Sequence, residues 1–120
     1  MLLLDLTHTS HTRAQTGIQQ VARALHTALP DPCGVTWDAH AGSWRTLEPW
    51  EHANLAARSA GGRRGARWPW TARLRGRWRR LTGSTPDLPA AAGLVVPELF
   101  SPAVASALPA LFAAVRGPKV

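Results

Sequence analysis

The chain has 120 residues, of which 45% are hydrophobic, enough for one domain with a modest core and too many for an intrinsically disordered protein. Its apolar runs, such as residues 1–4 and 94–97, are far shorter than the ~20 residues of a membrane-spanning helix. Asp5 also interrupts the first run too early for a secretory signal peptide. Cys33 is the only cysteine, which excludes an internal disulfide and a thiolate metal cluster. A cytoplasmic protein is therefore expected.

The positive charge is concentrated in one stretch of the sequence. The formal net charge is +7, nine arginines lie between residues 58 and 80, and no acidic residue lies between Glu51 and Asp87. Such a stretch favours polyanionic partners, whether nucleic acid, anionic lipid or nucleotide phosphates. A solvated basic surface without a specific ligand is the alternative. Arginine supplies 13 of the 14 basic residues, a bias that a GC-rich genome also produces.

The first part of the chain predicts a strand, a loop, a helix and a second strand. Residues 1–6 are a short apolar run typical of a buried strand. Thr16 and Gln19 have the spacing of a capping box, which predicts a helix over residues 17–29. Pro30 and Pro32 end it, and residues 35–37 predict the next strand. Apolar residues expected on the buried face of the helix are Ile18, Val21, Ala22, Leu25 and Leu29.

The remaining residues continue the alternation of strands and helices. Residues 38–43 predict a turn, 44–47 a short edge strand, and 48–58 a helix with Pro49 in its first turn. A short helix is predicted over 71–81, with Leu74, Trp78 and Leu81 in one stripe and Gly76 weakening it by ~1 kcal/mol. Residues 93–97 predict a third core strand. A last helix over 102–115 is expected to kink or split at Pro109, and residues 119–120 begin a further strand. The apolar face of this last helix comprises Val104, Leu108, Leu111, Phe112 and Val115.

This pattern predicts an α/β fold. We expect a partial Rossmann-like domain of three layers, with residues 1–6, 35–37 and 94–96 in one mainly parallel sheet and the helices over 17–29 and 102–115 packed on it. A basic insertion or linker rich in arginine and tryptophan occupies residues 59–92.

The loop of residues 7–17 is the first candidate site, because ligands of open parallel sheets bind beyond the carboxyl ends of the strands. A helix that begins near Gly17 offers free N–H groups to a phosphate or carboxylate. Candidate substrate-binding residues in and beside this loop are His8, Arg13, Thr16, Gly17 and Gln20. A capped helix after an ordinary connecting loop is the alternative interpretation.

No motif for catalysis, metal or cofactor binding is found. The loop contains neither GxGxxG nor a Walker sequence, and His8 and His11 are too few ligands for zinc. No catalytic residue, metal or cofactor is therefore predicted. Glu48 and Glu51, three residues apart, are interpreted as exposed residues that favour a helix N-terminus rather than as paired catalytic carboxylates.

The second candidate site is the predicted helix over 71–81. Arg73, Arg77, Trp78 and Arg80 are candidate contacts with a polyanion or a membrane surface. Alternatively, the tryptophans at 68, 70 and 78 pack this segment onto the rest of the domain.

Two segments carry a resemblance to a known family. Asp5-Leu6-Thr7 ends the first strand, and Thr16-Gly17-Ile18-Gln19-Gln20-Val21 opens the first helix. They resemble the start of bacterial family 4 glycosyltransferases, in which a strand ending in Asp-hydrophobic-Ser/Thr leads through a polar loop to TGIQRVVREL. Gln20 stands where the family usually has arginine. The segments VTWD, WRTLEPWE and VVPELFSP are similar as well, so the resemblance spans most of the chain outside the insertion.

The resemblance implies a GT-B enzyme with two Rossmann-like domains, which transfers a sugar from a nucleotide-sugar donor to an acceptor. The N-terminal domain of such enzymes mostly holds the acceptor, and the C-terminal domain holds the donor with an E-x7-E type motif. Residues 1–120 would then be an incomplete, truncated acceptor-side domain, inactive alone, whose donor and acceptor are partners only of a full-length enzyme.

A different class of protein is the alternative. A small basic protein could bind anionic membrane or nucleic acid through its arginine- and tryptophan-rich segment. Peripheral contact with the inner face of the membrane fits the cytoplasmic location expected above, whereas no specific nucleic-acid partner is expected.

Overall fold

Four strands form one open, mostly parallel sheet in the computed structural model, which describes residues 1–11, 17–56, 68–83, 88–97 and 102–120. They are β1 (Leu2–Asp5), β2 (Pro32–Asp38), β3 (Ser43–Thr46) and β4 (Gly93–Val95), in the order β3-β2-β1-β4. Strand β1 pairs in parallel with both β2 and β4, whereas β3 returns antiparallel to β2. The mixed α/β class and the mainly parallel sheet expected from the sequence are confirmed.

The described residues also contain four α-helices and one 3-10 turn. The helices are α1 (Gly17–Ala28), α2 (Pro49–Ala56), α3 (Trp70–Thr82) and α4 (Pro102–Ala114), and the 3-10 turn covers Thr9–His11. Helix α4 runs continuously through Pro109, so the expected split does not occur. Pro109 is exposed, and water can therefore bond the carbonyl that proline leaves without its helical partner.

Helices cover both faces of the sheet because neighbouring strand residues point to opposite faces. Leu3 lies in a core cluster with Leu94 of β4 and Leu111 of α4, whereas Leu4 lies in a second cluster with Ala22 of α1. All five of these side chains are essentially inaccessible to solvent. The sheet is thus the middle layer between α4 on one side and α1 on the other.

Helix α1 packs on the sheet along a narrower face than its periodicity predicts. Ala22 is completely buried, and Leu25 and Leu29 pack against the same cluster, at spacings of three and seven residues. Val21, expected on this face, is 54% exposed. Val21 precedes Ala22 by one residue, which corresponds to about 100° around the helix. Its side chain therefore points away from the sheet.

The chain's last residues lie beside β4. Lys119 forms a parallel bridge with Leu94, and the Val120 N–H donates to the Leu94 carbonyl at 2.8 Å. The prediction that residues 119–120 begin a further strand agrees with this pairing.

Helix α3 packs through its smallest residues. Ala72 and Gly76 are buried, and Gly76 faces the turn that joins β2 to β3. A Cβ atom at Gly76 would lie 2.6 Å from the His40 Cβ and 3.1 Å from Asp38 Oδ1. Of the three tryptophans expected to pack this segment onto the domain, Trp68 is half-buried, whereas Trp70 and Trp78 are 71% and 68% exposed. Packing by all three tryptophans is therefore wrong.

We predict that Gly76→Ala destabilises the fold. Alanine in an open helix position is worth ~1 kcal/mol more than glycine, but here its methyl group must displace the β2–β3 turn. The net effect should be a loss of about 1–3 kcal/mol, measured by urea unfolding. Arg77→Ala, at the next and exposed position of α3, is the control and should cost nothing measurable. Equal or higher stability of Gly76→Ala would contradict this packing.

Candidate functional site

A buried group of charged side chains lies near the carboxyl ends of β1 and β2. Arg45 of β3 is at its centre, with Nε 2.9 Å from Asp38 Oδ2 and both terminal nitrogens bonded to the Glu51 carboxylate, NH2 at 3.2 Å from Oε2. His11 joins through Nε2, 2.6 Å from Glu51 Oε2. We call His11, Asp38, Arg45 and Glu51 the Arg45 cluster. None of its members is more than 4% exposed.

Aromatic rings cover the Arg45 cluster. The His11 ring stacks on Trp50 with centroids 5.4 Å apart and lies 4.4 Å from the Trp68 ring. The Arg45 Cζ lies 5.6 Å from the centre of Trp68, within the range of a cation–π contact. Thr36 Oγ1 lies 3.2 Å from His11 Nε2 and supplies a further polar contact. The donors of Arg45 therefore meet protein acceptors, and the cluster is a closed structural unit.

The role of Glu51 differs from the sequence interpretation. Glu51 is fully buried, and its Oε1 accepts from the Glu48 N–H at 2.8 Å as well as from Arg45. Burial raises the pKa of the Glu51 carboxyl, but hydrogen bonds with His11 and Arg45 outweigh it and hold the pKa below its ordinary value. The sequence predicts an exposed residue, because acidic side chains three residues apart at a helix start favour the helix dipole. The partner of Glu51 in the interior is Arg45, which lies on a separate element, strand β3.

A second set of polar contacts holds the loop that follows β1. Asp5 Oδ1 accepts from the Thr7 N–H at 3.1 Å and from the Thr7 hydroxyl at 2.6 Å. Thr7 Oγ1 in turn accepts from the Trp37 N–H at 3.1 Å. Further along the loop, the Asn54 side-chain amide donates to the Ser10 carbonyl at 2.8 Å. Asp5 and Thr7, which carry the family resemblance, thus fix the path of the chain away from β1.

The candidate substrate-binding residues lie in different surroundings. His8 is half-buried in the turn after β1, and Gly17 and Gln20 are exposed on the first turn of α1. Arg13 and Thr16 fall outside the described residues. His11, which no motif distinguished from His8, is the histidine that enters the Arg45 cluster. Among the described residues at this edge of the sheet, the accessible polar groups therefore include those of His8, Gly17 and Gln20.

The candidate residues of the second site lie on the outer surface of α3. Arg73, Arg77 and Arg80 are exposed, and so is Trp78. Two other arginines of this helix are held by α2: Arg75 NH2 lies 2.7 Å from Glu48 Oε2, and Arg79 NH1 lies 3.3 Å from Glu48 Oε1. The arginines of α3 thus fall into a paired set and an outward-facing set.

No family model matches the sequence, and neither a curated protein nor a solved structure matches it.

Within the described residues, no group of three or more His, Cys, Asp or Glu side chains is placed to hold a metal ion. In the same part of the chain, every helix is too short or too polar to cross a bilayer.

We predict that Arg45→Met destabilises the protein strongly. The substitution removes the guanidinium that the buried carboxylates of Asp38 and Glu51 share, and leaves Asp38 with only the longer pair to Arg79 at 3.9 Å. Breaking a buried pair in this way costs about 3–5 kcal/mol. The control is Arg75→Met, which removes an exposed ion-pair partner of Glu48. Glu48 keeps its second partner, Arg79, so this substitution should cost under about 1 kcal/mol. Urea unfolding of the two variants and the parent chain measures the difference. Similar losses for both variants would show that the Arg45 cluster is not the principal polar constraint.

Acid should destabilise the fold partly through Glu48. Burial raises its pKa, but the hydrogen bond from Arg75, the charge of Arg45 and the hydrogen bond from Trp50 outweigh it and lower the pKa to about 2 from an ordinary 4.5. The stabilisation is therefore complete above pH 4.5 and is lost as the pH falls towards 2. Free energies of unfolding at a series of pH values should fall less steeply for Glu48→Gln. The control is Asp31→Asn, at a carboxylate that is 75% exposed, and it should keep the parent slope.

Proposed function

We propose that this chain is the acceptor-side domain of a GT-B glycosyltransferase, an enzyme that transfers a sugar from a nucleotide-sugar donor to an acceptor. The fold supporting this proposal is an open sheet with helices on both faces, with the half-buried His8 just beyond the carboxyl end of β1. In this role the domain binds the acceptor and leaves the donor's nucleotide to a second domain.

The strand order is the observation that carries the proposal. From β1 the chain adds β2 and β3 on one side, and it then adds β4 and the Lys119 pairing on the other. The order 3-2-1-4, followed by the Lys119 pairing, is the order expected of a Rossmann-like sheet with β3 reversed, and it therefore supports the proposal. Ligands of such sheets bind where the order changes direction, outside the carboxyl ends of the strands. Here that point lies between β1 and β4.

The residues that resemble the family lie at the same end of the sheet. Asp5 and Thr7 are buried and bonded to each other, so they shape the loop rather than contact a ligand. Beyond them, His8 and the start of α1 at Gly17 provide the groups that an acceptor could reach. A neutral, hydroxyl-rich acceptor suits an imidazole, a side-chain amide and the backbone N–H groups of a helix N-terminus, because each can donate to hydroxyl or carbonyl oxygens.

Catalysis requires more than this edge offers. A helix N-terminus stabilises a nearby anion by ~0.3–2 kcal/mol, whereas enzymes lower barriers by ~8 kcal/mol or more. The diphosphate that leaves a nucleotide sugar needs positioned cations or donors, which the resembled family supplies mainly from its second domain. The isolated chain should therefore bind acceptors without turning over the donor.

We predict selective binding of saccharide acceptors. Saturation-transfer NMR on the purified chain, with a panel of saccharides, glycolipid headgroups and nucleotide sugars, should give signals from saccharide protons. Gln20→Ala and His8→Ala should each reduce these signals, because they remove hydrogen-bond donors from the accessible edge. Thr27→Ala is the matched control, since Thr27 is exposed at the other end of α1 and its hydroxyl donates to the Arg23 carbonyl of the same helix at 3.1 Å.

Two results would contradict the proposal. One is the absence of any saccharide signal that depends on His8 or Gln20. The other is release of nucleotide from a nucleotide sugar at a rate clearly above the protein-free control, with loss of that activity in Gly17→Ala. The second result would make this chain a complete catalyst rather than an acceptor-side domain.

A further inference from the structure

The outer surface of α3 carries several large apolar side chains, which are exposed in the described part of the structure. Its large apolar side chains are mostly exposed: Trp70 by 71%, Leu74 by 52%, Trp78 by 68% and Leu81 by 83%. At 100° per residue these four positions fall within about 80° of the helix circumference. They therefore form one continuous stripe, which we call the α3 stripe. Exposed apolar residues grouped in this way mark a contact surface rather than the ordinary scatter of surface residues.

Arginines line one side of the α3 stripe. Arg73, Arg77 and Arg80 are exposed, and none of them has an ion-pair partner within the described part of the chain. On the other side of the stripe, Arg75 is paired with Glu48, which also binds Arg79. The outward surface of α3 consequently combines an apolar stripe with a strip of unneutralised positive charge.

The opposite side of α3 fixes this orientation. Gly76 lies so close to the β2–β3 turn that no larger side chain fits there, and Ala72 is buried beside it. Rotating the helix to bury the α3 stripe would drive an arginine or a leucine into that contact. The stripe is therefore held outward by packing on the rest of the domain.

We propose that α3 is a docking surface for an anionic lipid bilayer. Leucine and tryptophan side chains on one helix face enter the boundary between headgroups and acyl chains, where indole rings are especially favourable. Arginines beside them bind lipid phosphates while their aliphatic stems stay in the apolar layer. The assignment is independent of the activity proposed above.

The composition of the surface favours lipid over nucleic acid. Single-stranded nucleic acids stack on aromatic rings along a basic groove. Here Leu74 and Leu81 occupy half of the stripe and offer no ring for stacking. The exposed arginines 73, 77 and 80 also lie along one side of a convex helix rather than in a groove, and a bilayer accommodates such a surface along its whole length.

Vesicle binding by the full chain tests the proposal. Vesicles of phosphatidylcholine with phosphatidylglycerol should bind the chain, shift its tryptophan fluorescence to shorter wavelength and carry it in co-sedimentation. Vesicles of phosphatidylcholine alone should bind far less, and added salt should weaken binding to the anionic vesicles. Arg73→Gln with Arg80→Gln should lower the partition coefficient about 25-fold, since each arginine near an anionic surface is worth about fivefold.

Matched variants separate the surface from general charge. Arg116→Gln with Lys119→Gln removes the same charge beside the opposite edge of the sheet, and it should change binding less than twofold. Leu74→Ser with Trp78→Ser keeps every charge and should abolish the fluorescence shift. Circular dichroism checks that each variant keeps the parent fold, which exposed substitutions should allow.

Three outcomes would overturn the proposal. Equal losses in the two charge variants would show that binding follows net charge alone. Tighter binding to single-stranded RNA than to anionic vesicles would assign the surface to nucleic acid. Self-association that Leu74→Ser with Trp78→Ser abolishes, without vesicle binding by the parent chain, would assign the stripe to a second copy of this protein.

Discussion

The buried charge of Arg45 constrains the arrangement of the elements around it. An unpaired guanidinium would be very costly in this position, so its carboxylate partners must be brought from elsewhere in the chain. Asp38 at the end of β2 and Glu51 in the first turns of α2 meet that requirement. Their positions fix the β2–β3 hairpin and the direction in which α2 leaves the sheet. His11 then ties the loop after β1 to the same point.

A second consequence of this constraint is the position of α3. The Asp38 side chain is shared between Arg45 and the N–H groups of the turn, since its Oδ1 accepts from His40 and Ala41 at 3.0 Å each. The turn that Asp38 stabilises is the surface on which Gly76 packs. One carboxylate thus connects the buried charge of the sheet edge to the orientation of a surface helix.

Local patterns were sufficient to predict the elements, because apolar periodicity, caps and prolines act within a few residues. The strands around residues 3, 35 and 94 and all four described helices lie where these patterns place them. The exposed side of each helix was less predictable. Val21 and Phe112 follow helical periodicity yet are exposed by 54% and 37%, because the curvature and contacts of the sheet decide how wide a face is buried.

The candidate sites were likewise predictable only in part from local sequence patterns. Arg73, Arg77 and Arg80 are exposed as their charge predicts, but the exposure of the α3 stripe depends on how closely Gly76 approaches another segment. Sequence spacing could not tell that His11, rather than His8, is buried. Nor could it pair Glu51 with Arg45, because only the hairpin and the start of α2 bring these two charges together.

The capped end of α3 has a consequence for the energetics of any association. Gly83 adopts φ 66° and its N–H bonds to the Arg79 carbonyl, so this helix is complete and terminated before it meets a partner. Many amphipathic segments are unfolded in water, and ordering their backbone costs ~1–2 kcal/mol for each residue. In this protein that cost is met during folding of the domain. Association can then proceed as the docking of a rigid body, without a gain in helical content.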